Sequence, residues 1–170
     1  MRILLINPPS PERLGSPLLG LEYVAAALLA NGYEVRVIDA AARYFPHDAA
    51  WIVREAEDFA PDLIGVSLFT RWVWHAYELV EQLRGGPWTL VAGGAHTTVR
   101  PEETLRRGFD VALTGEAEHS LPRVAQWLCG DDDLGKIPGA VFRQPDGGTG
   151  YGPPAVYVEN LDQLAPPYLA

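Results

Sequence analysis

The sequence predicts an α/β protein in which helices cover both faces of a parallel β-sheet. Short apolar runs alternate with segments of helical periodicity along the first 130 residues, a pattern typical of parallel strands joined by crossover helices. The first run, residues 3–6, is apolar throughout, as expected for a strand that is buried on both faces. The 170 residues, 48% hydrophobic and 21% charged, are enough for one domain with its own core.

Five strands and five helices are expected from these patterns. The strands are predicted at residues 3–6, 34–39, 63–67, 88–92 and 110–113. The first helix starts with Ser16 as N-cap and Pro17 at its first position, and it stops at Asn31-Gly32. Asp48 is expected to cap the second helix.

Apolar stripes define the remaining helices. The second helix carries Ile52, Ala56 and Phe59 on one face and ends before Pro61. The third helix has a stripe of four residues and ends at Gly85-Gly86; the stripe is Trp72, Ala76, Leu79 and Leu83. A short helix near residues 101–107 and a helix over residues 120–128 complete the set. Together these elements predict a flavodoxin-like doubly wound sheet of five strands in the order 2-1-3-4-5.

The composition changes after Gly130, where proline and glycine crowd together and helical periodicity is lost. Residues 140–143 and 155–158 flank Gly147-Gly148 and are predicted to pair as a small hairpin. Residues 160–170 have the composition of a linker. We therefore divide the chain into a Rossmann-like ligand-binding domain, residues 1–130, and a hairpin with a linker, residues 131–170.

Charge and composition exclude several classes of function. Twenty-two acidic and thirteen basic side chains give a formal charge of −9, and Lys136 is the single lysine, so nucleic-acid binding lacks its electrostatic driving force. The longest apolar run, residues 24–30, is far shorter than the roughly 20 residues that cross a bilayer. Met1-Arg2 leads directly into the first strand, so we expect a cytoplasmic protein without a membrane partner. The single cysteine, Cys129, cannot by itself build an iron–sulfur or structural zinc site.

A ligand is expected at the carboxyl ends of the strands, where four loops meet in an open parallel sheet. These loops cover residues 7–16, 67–72, 93–100 and 114–119. A dinucleotide fingerprint is absent, because Asn7-Pro8-Pro9 follows the first strand, and the chain has no P-loop. Ser67 stands where a phospho-receiver needs an aspartate. These common ligands of the fold are therefore excluded.

The loops match another pattern, with Ser67-Leu68-Phe69 after the third strand and Gly93-Gly94 after the fourth. Further matching pieces follow in order: Asn7-Pro8-Pro9, Leu21-Glu22-Tyr23, Val37-Ile38-Asp39, Pro61-Asp62-Leu63, Gly93-Gly94-Ala95-His96, Pro101-Glu102-Glu103, Thr114-Gly115-Glu116, Ile137-Pro138-Gly139 and Leu161-Asp162-Gln163. Over essentially its whole length the chain resembles the cobalamin (vitamin B12)-binding domain at the N-terminus of radical S-adenosylmethionine (SAM) enzymes.

The resemblance implies a slot for the dimethylbenzimidazole tail of cobalamin. Its lining would include Ser67, Leu68, Gly93 and Gly94, and Ser67 or Thr70 would hydrogen-bond the tail. Adjacent glycines let the backbone approach a flat heterocycle closely, although a glycine pair can also be a simple tight turn and a serine can simply cap a helix. A leucine at position 94 is accordingly expected to fill the slot and leave the fold intact.

Other positions follow from the same resemblance. It implies that His96 shapes the tail pocket and that the remaining cofactor-edge residues are Asn7, Pro8, Gly115 and Glu116. Glu118 is interpreted instead as a carboxylate that stabilises the N-terminus of the following helix. We assign no catalytic residue and no protein ligand to the metal.

The cobalt is expected to bind base-off and without a protein imidazole. Many cobalamin carriers have D-x-H-x-x-G in the first loop, whereas the first histidine of this chain is His47. Arg71 and Trp72 are candidates for the residues beneath the corrin; the alternative is a solvated arginine and a core tryptophan. None of His47, His75, His96 and His119 forms a pair with metal-site spacing, and we interpret all four as surface or loop residues.

The function implied by the resemblance is that of a methyl carrier for a radical SAM methyltransferase reaction. SAM and a 4Fe–4S cluster would belong to a radical SAM domain, in cis or in trans, because Cys129 alone cannot hold the cluster. The chain is then the cofactor-binding part of an enzyme and not catalytic alone; its end at residues 166–170 favours a piece excised from a longer chain. The competing hypothesis is a flavodoxin-like interaction module that binds no cofactor or binds a nucleotide.

Overall fold

The computed structural model describes residues 1–11, 18–43 and 49–167. Its central sheet contains five parallel strands in the order β2-β1-β3-β4-β5, which confirms the predicted fold class and strand order. The strands are β1 (Arg2–Asn7), β2 (Glu34–Asp39), β3 (Leu63–Ser67), β4 (Thr89–Gly93) and β5 (Val111–Leu113). Ser67 at the end of β3 lies opposite Gly93 at the end of β4, so the two predicted binding motifs are neighbours.

Helices cover both faces of this sheet. They are α1 (Leu19–Ala30), α2 (Ala40–Arg43), α3 (Ala50–Phe59), α4 (Val73–Leu83), α5 (Ala95–Val99), α6 (Pro101–Arg106) and α7 (Ser120–Leu128). Because consecutive strand residues point to opposite faces, Leu5 packs with α1 and α7, whereas Leu4 and Ile6 pack with α3 and α4. No helix in residues 18–43 or 49–167 combines the length and apolarity needed to cross a membrane.

Most helix predictions hold. Ile52, Ala56 and Phe59 form the buried stripe of α3 as predicted, and α7 has its predicted ends. Trp72 precedes α4 in a 3-10 turn, Thr70–Trp72, so the helix begins one residue later than its predicted stripe. The predicted caps, Ser16 with Pro17 and Asp48, lie outside the described residues.

Two short helices, α2 and α5, were not predicted. Residues 93–100, expected as a loop, contain α5. A helix of five residues is too short for its apolar spacing to stand out in the sequence. This short helix brings His96 into the interior.

The C-terminal part extends the sheet with two antiparallel strands, β6 (Ala140–Arg143) and β7 (Thr149–Tyr151). The predicted hairpin is present, but the prediction of residues 155–158 as its second strand is wrong, because β7 takes that place. A tight turn, closed by the Gln144 N–H donating to the Gly148 carbonyl at 2.9 Å, brings Thr149 opposite Arg143. The chain then has its seven-stranded sheet complete before residue 155, and residues 155–158 run on as an irregular segment.

Candidate functional site

A cavity of about 230 Å³ lies at the carboxyl edge of the sheet, between α1 and the loop that leads into α7. Its walls are mainly apolar and include Leu21 and Val24 of α1 and Leu121 of α7. Its floor is formed by strand residues of the same sheet face, among them Gly65 and Gly93. We call it the slot. It lies at the edge where the sequence predicts a ligand.

The slot has a flat floor because two strand residues there carry no side chain. A Cβ at Gly65 would lie 2.8 Å from Leu5 Cδ2, so any larger residue there would fill the space over β1. A Cβ at Gly93 would meet no atom within 4 Å, so it would project into the opening. Gly65 was not among the predicted site residues, although a glycine inside an apolar strand is a known sign of close approach by a ligand or backbone.

Gly94 has a different role from Gly93. Its backbone φ of +92° is in the region that glycine tolerates best, and a Cβ there would lie 2.8 Å from the Leu68 carbonyl oxygen. The Leu68 N–H donates to the Gly93 carbonyl at 2.8 Å, and the His96 N–H donates to the Leu68 carbonyl at 3.0 Å. Gly94 therefore allows the two motif loops to be joined by backbone hydrogen bonds.

The side chains of Ser67 and Leu68 also lie in different places. Ser67 is half-buried and lines the slot. The Leu68 side chain is fully buried in the core on the α3 and α4 side of the sheet and does not line the slot. The contribution of Leu68 to this edge is its backbone.

A second cavity, of about 210 Å³, opens on the α4 side of the same edge. Five of the predicted residues line it, and one of them, Ser67, faces both cavities; the other four are Asn7, Pro8, Arg71 and Trp72. The Arg71 guanidinium stacks over the Trp72 ring, with Cζ 4.2 Å from the ring centre.

Asn7 is fixed by the end of β2. Its buried amide donates to the Asp39 carboxylate at 2.8 Å. Asp39 also accepts from the backbone N–H groups of Leu18 and Ala42. The Asn7 amide is thus part of the hydrogen-bonded frame that holds β1, β2 and the start of α1 together.

Gly115 and Glu116, which follow β5, line the slot, and Glu116 also holds the irregular C-terminal segment. The Glu116 carboxylate accepts a hydrogen bond from the Val158 N–H. The Gly139 N–H donates to the Pro153 carbonyl at 2.8 Å. Residues 152–158, which we call the strap, therefore lie against this edge of the sheet.

Glu118 lines the slot as well. Its Oε2 atom is buried and has no hydrogen-bond partner among the described residues. Burial, reinforced by the neighbouring Glu116 charge, raises the pKa of Glu118. The sequence assigned this residue to the helix N-terminus; its place in the slot depends on the path of the loop between β5 and α7, which the sequence does not reveal.

The interpretation of every histidine as a surface or loop residue is wrong for His96, which lies in α5 and is only 5% exposed. Its Nε2 is 3.0 Å from Tyr77 Oη, and its Nδ1 is 3.1 Å from Thr70 Oγ1. His75 lies in α4, 3.5 Å from Glu78. In the part of the chain that the structure describes, no group of three or more His, Cys, Asp or Glu side chains is arranged to hold a metal ion.

Comparison with known families identifies the family of the chain. The profile of the B12 binding domain matches residues 16–125, which include α1 and end within α7. The chain belongs to the B12-binding domain family. In this B12-binding domain, the matched range includes both glycines of the slot floor and the Ser67-Leu68 motif.

Individual relatives agree with this assignment. An uncharacterized methyltransferase of Pyrococcus horikoshii is 28% identical over 98% of the chain and 38% of its own length. The radical SAM methyltransferase TsrM from Kitasatospora setae, solved with cobalamin and a 4Fe–4S cluster, superposes with a TM-score of 0.69 at 25% identity, over 97% of this chain and 31% of that one.

A third comparison concerns the fold alone. The cobalamin-dependent SAM radical enzyme OxsB, solved with aqua-cobalamin and SAM, gives a TM-score of 0.78 at 18% identity, over 91% of this chain and 22% of that one. This B12-binding domain therefore spans between about a fifth and two fifths of the length of these three proteins.

Proposed function

We propose that this domain binds one cobalamin, with the dimethylbenzimidazole tail in the slot and the corrin over the carboxyl edge of the sheet. The observation that carries the proposal is the flat floor made by Gly65 and Gly93 beneath apolar walls. In a chain of the B12-binding family, that floor has the shape a flat aromatic group requires, since backbone without Cβ permits close approach.

The residues present fit the tail chemically. Dimethylbenzimidazole is apolar over its faces and has one ring nitrogen that accepts a hydrogen bond when it is not bound to cobalt. The buried Glu118 Oε2 has no partner in the described part of the chain. Burial raises the pKa of Glu118, so the carboxyl keeps its proton to a higher pH than an ordinary glutamate does, and the protonated form can donate. Glu118 is therefore the group we assign to that nitrogen.

Cobalamin, when bound, supplies a cobalt centre that carries a methyl group. This chain binds it base-off: the tail occupies the slot, and the loop after β1 contains no histidine. Arg71 and Trp72, which line the second cavity, lie beneath the corrin in this proposal. Ser67, Gly93, Gly94, Gly115 and Glu116 border the tail, and Asn7 and Pro8 border the corrin.

We assign residues 1–130 to the cofactor domain and residues 131–170 to the hairpin and linker. The reaction proposed is methyl transfer in company with a radical SAM domain, in cis or in trans, which contributes SAM and the 4Fe–4S cluster. The TsrM structure contains both cobalamin and such a cluster and supports this arrangement. The single cysteine of this sequence, Cys129, is too few for the cluster itself.

The test is retention of hydroxocobalamin through desalting, measured by its visible absorbance. About one cofactor per chain is expected for the unmodified protein, and Gly93→Leu is expected to lose it because leucine projects into the slot. Ala95→Leu, an exposed position on the same edge, is the matched control and should retain it. A folded unmodified chain that retains no cofactor, or a Gly93→Leu variant that retains it fully, would contradict the proposal.

The base-off assignment has its own readout in the same samples. After reduction to Co(II), the electron paramagnetic resonance spectrum is expected to lack splitting from an axial nitrogen. A triplet from one such nitrogen would mean that the tail or a histidine is coordinated to cobalt.

A further inference from the structure

Four side chains form a hydrogen-bonded series that runs from the carboxyl edge into the protein. Thr70 Oγ1 is 3.1 Å from His96 Nδ1, His96 Nε2 is 3.0 Å from Tyr77 Oη, and Tyr77 Oη is 3.2 Å from Glu103 Oε1. His96 and Tyr77 are buried, whereas Thr70 is exposed in the turn after β3. The series therefore connects a surface hydroxyl, in the same turn as Arg71 and Trp72 of the second cavity, with a carboxylate of α6.

The donor and acceptor in each of these hydrogen bonds follow from Glu103, at the end of the series. The Glu103 carboxylate can only accept, so the single Tyr77 hydroxyl proton is donated to it. Tyr77 keeps that proton over the working pH range, because burial and the adjacent Glu103 charge raise its pKa to about 12. Tyr77 Oη is thus left with lone pairs toward His96.

The proton position on His96 in turn determines the hydrogen-bond direction at Thr70. His96 Nε2 must carry the ring proton in order to donate to Tyr77 Oη. In a singly protonated imidazole the other nitrogen is an acceptor, so Nδ1 accepts the Thr70 hydroxyl proton. Thr70 Oγ1 then has only lone pairs available to any further partner.

We propose that Thr70 is a fixed hydrogen-bond acceptor for an N–H group of the ligand, and that His96 is the positioning residue that sets this polarity. The inference rests on the proposed function, because the corrin edge carries carboxamides whose N–H groups are the matching donors. A carbonyl or carboxylate at the same place would face the Thr70 lone pairs and be disfavoured. The series thereby selects which end of a carboxamide faces the protein.

The histidine tautomer can be measured on the chain without any ligand. Long-range ¹⁵N–¹H correlation spectra should show His96 protonated at Nε2 with Nδ1 unprotonated. Tyr77→Phe removes the nearer acceptor for Nε2–H and leaves Glu103 Oε1 at 3.7 Å; it is the matched control, in which that preference should weaken. A His96 that carries its proton on Nδ1 in the unmodified chain would overturn the inference.

Ligand binding supplies the second readout, with hydroxocobalamin as the probe. Thr70→Val should weaken binding about tenfold, the size expected for one lost hydrogen bond, and Thr70→Ser should restore it to within about twofold. His96→Asn can keep an acceptor near the Nδ1 position and should bind more tightly than His96→Gln, whose amide reaches toward Tyr77 instead. Thermal melts of each variant separate unfolding from a local effect.

The outcomes distinguish this inference from the function it rests on. Loss of hydroxocobalamin binding in the unmodified chain would overturn the proposed function, and this inference with it. Binding by the unmodified chain that is the same within twofold in Thr70→Val would overturn the inference alone.

Discussion

Gly93 and Gly94 are adjacent and identical in the sequence, yet the structure gives them separate tasks. The sequence predicts that leucine at position 94 fills the slot and leaves the fold intact. The Cβ direction contradicts this, because at Gly94 it points at the Leu68 carbonyl and at Gly93 into open space. Only the folded backbone distinguishes the two, since φ at each residue depends on how the β3 and β4 loops are joined.

We therefore predict that Gly94→Leu lowers the free energy of unfolding by more than about 1 kcal/mol, from positive-φ strain and the clash with Leu68. Gly93→Leu should lower it by less than Gly94→Leu while abolishing cobalamin retention. Urea denaturation followed by circular dichroism measures the first effect. Equal stability of the two variants would show that Gly94 is not under backbone constraint.

A pH-dependent prediction concerns Glu118, whose pKa is raised by burial. Below the ordinary glutamate pKa, about 4.3, the folded and unfolded forms are both protonated and burial carries no charge penalty. As the pH rises through the higher folded pKa, the buried carboxyl opposes ionisation and stability is lost. Glu118→Gln should therefore raise the melting temperature at pH 7 and leave it nearly unchanged at pH 4.

The matched control for this pH series is Glu81→Gln, at an exposed position of α4, which should have little effect at either pH. A Glu118→Gln variant with the same melting-temperature offset at both pH values would show that ionisation of this group is not responsible.

At the scale of elements, the sequence predicted the repeated units well and the irregular ones poorly. Four of the five parallel strands contain continuous apolar runs, β2 alternates polar and apolar residues, and α3 and α7 have full apolar stripes, so their patterns are long enough to read. The pairing of β6 with β7 depends on the turn over residues 144–148, and α5 is a single turn or so in length. Neither has a periodicity of its own.

The hairpin yields an element-scale prediction at Gly139, which precedes β6. Its φ is +76°, and a Cβ there would lie 2.4 Å from the Thr114 carbonyl oxygen. Gly139→Ala should consequently separate β6 from the end of β5 and lower the free energy of unfolding by about 1–3 kcal/mol. Hydrogen exchange should show the loss of protection concentrated in β6 and β7.

Gly147, in the hairpin turn, is the control for this change. It also has a positive φ, +85°, but a Cβ there would meet no atom within 4 Å. Gly147→Ala should therefore carry only the strain of the backbone, about 1 kcal/mol. Equal losses for the two alanine variants would mean that the contact with Thr114 is unimportant.

For the whole molecule, the general location of the site could be predicted from the sequence. Its division into two cavities, on opposite faces of the sheet, could not. The rule for parallel sheets placed the ligand at the carboxyl edge, and the slot lies there. The residues brought together from distant segments, such as Leu21, Leu121 and Glu118, could not be found from local patterns. Leu68 is buried among α3 and α4 residues, and His96 of α5 faces Tyr77 of α4, which only the packed structure reveals.

The C-terminal residues lie at the same edge of the sheet as the slot. The β6–β7 hairpin joins the edge of the same sheet, and the strap follows it back to Glu116. Exposed apolar side chains of the strap, Val156 and Tyr157, therefore lie near the carboxyl edge. The second proposed part of the chain thus also contributes residues to this edge of the sheet.

The central claim is that cobalamin lies at the carboxyl edge of the sheet, with its tail over Gly93. The most direct measurement is nuclear magnetic resonance of the ¹⁵N-labelled chain loaded with cobalamin, compared between paramagnetic Co(II) and diamagnetic Co(III). Backbone amides of Gly93, Gly94 and Gly115 should be broadened by Co(II), whereas those of Gly32 and Gly85, which precede β2 and β4 at the opposite edge, should be unaffected. Broadening centred on Gly32 and Gly85, or no site-specific broadening at all, would contradict the account.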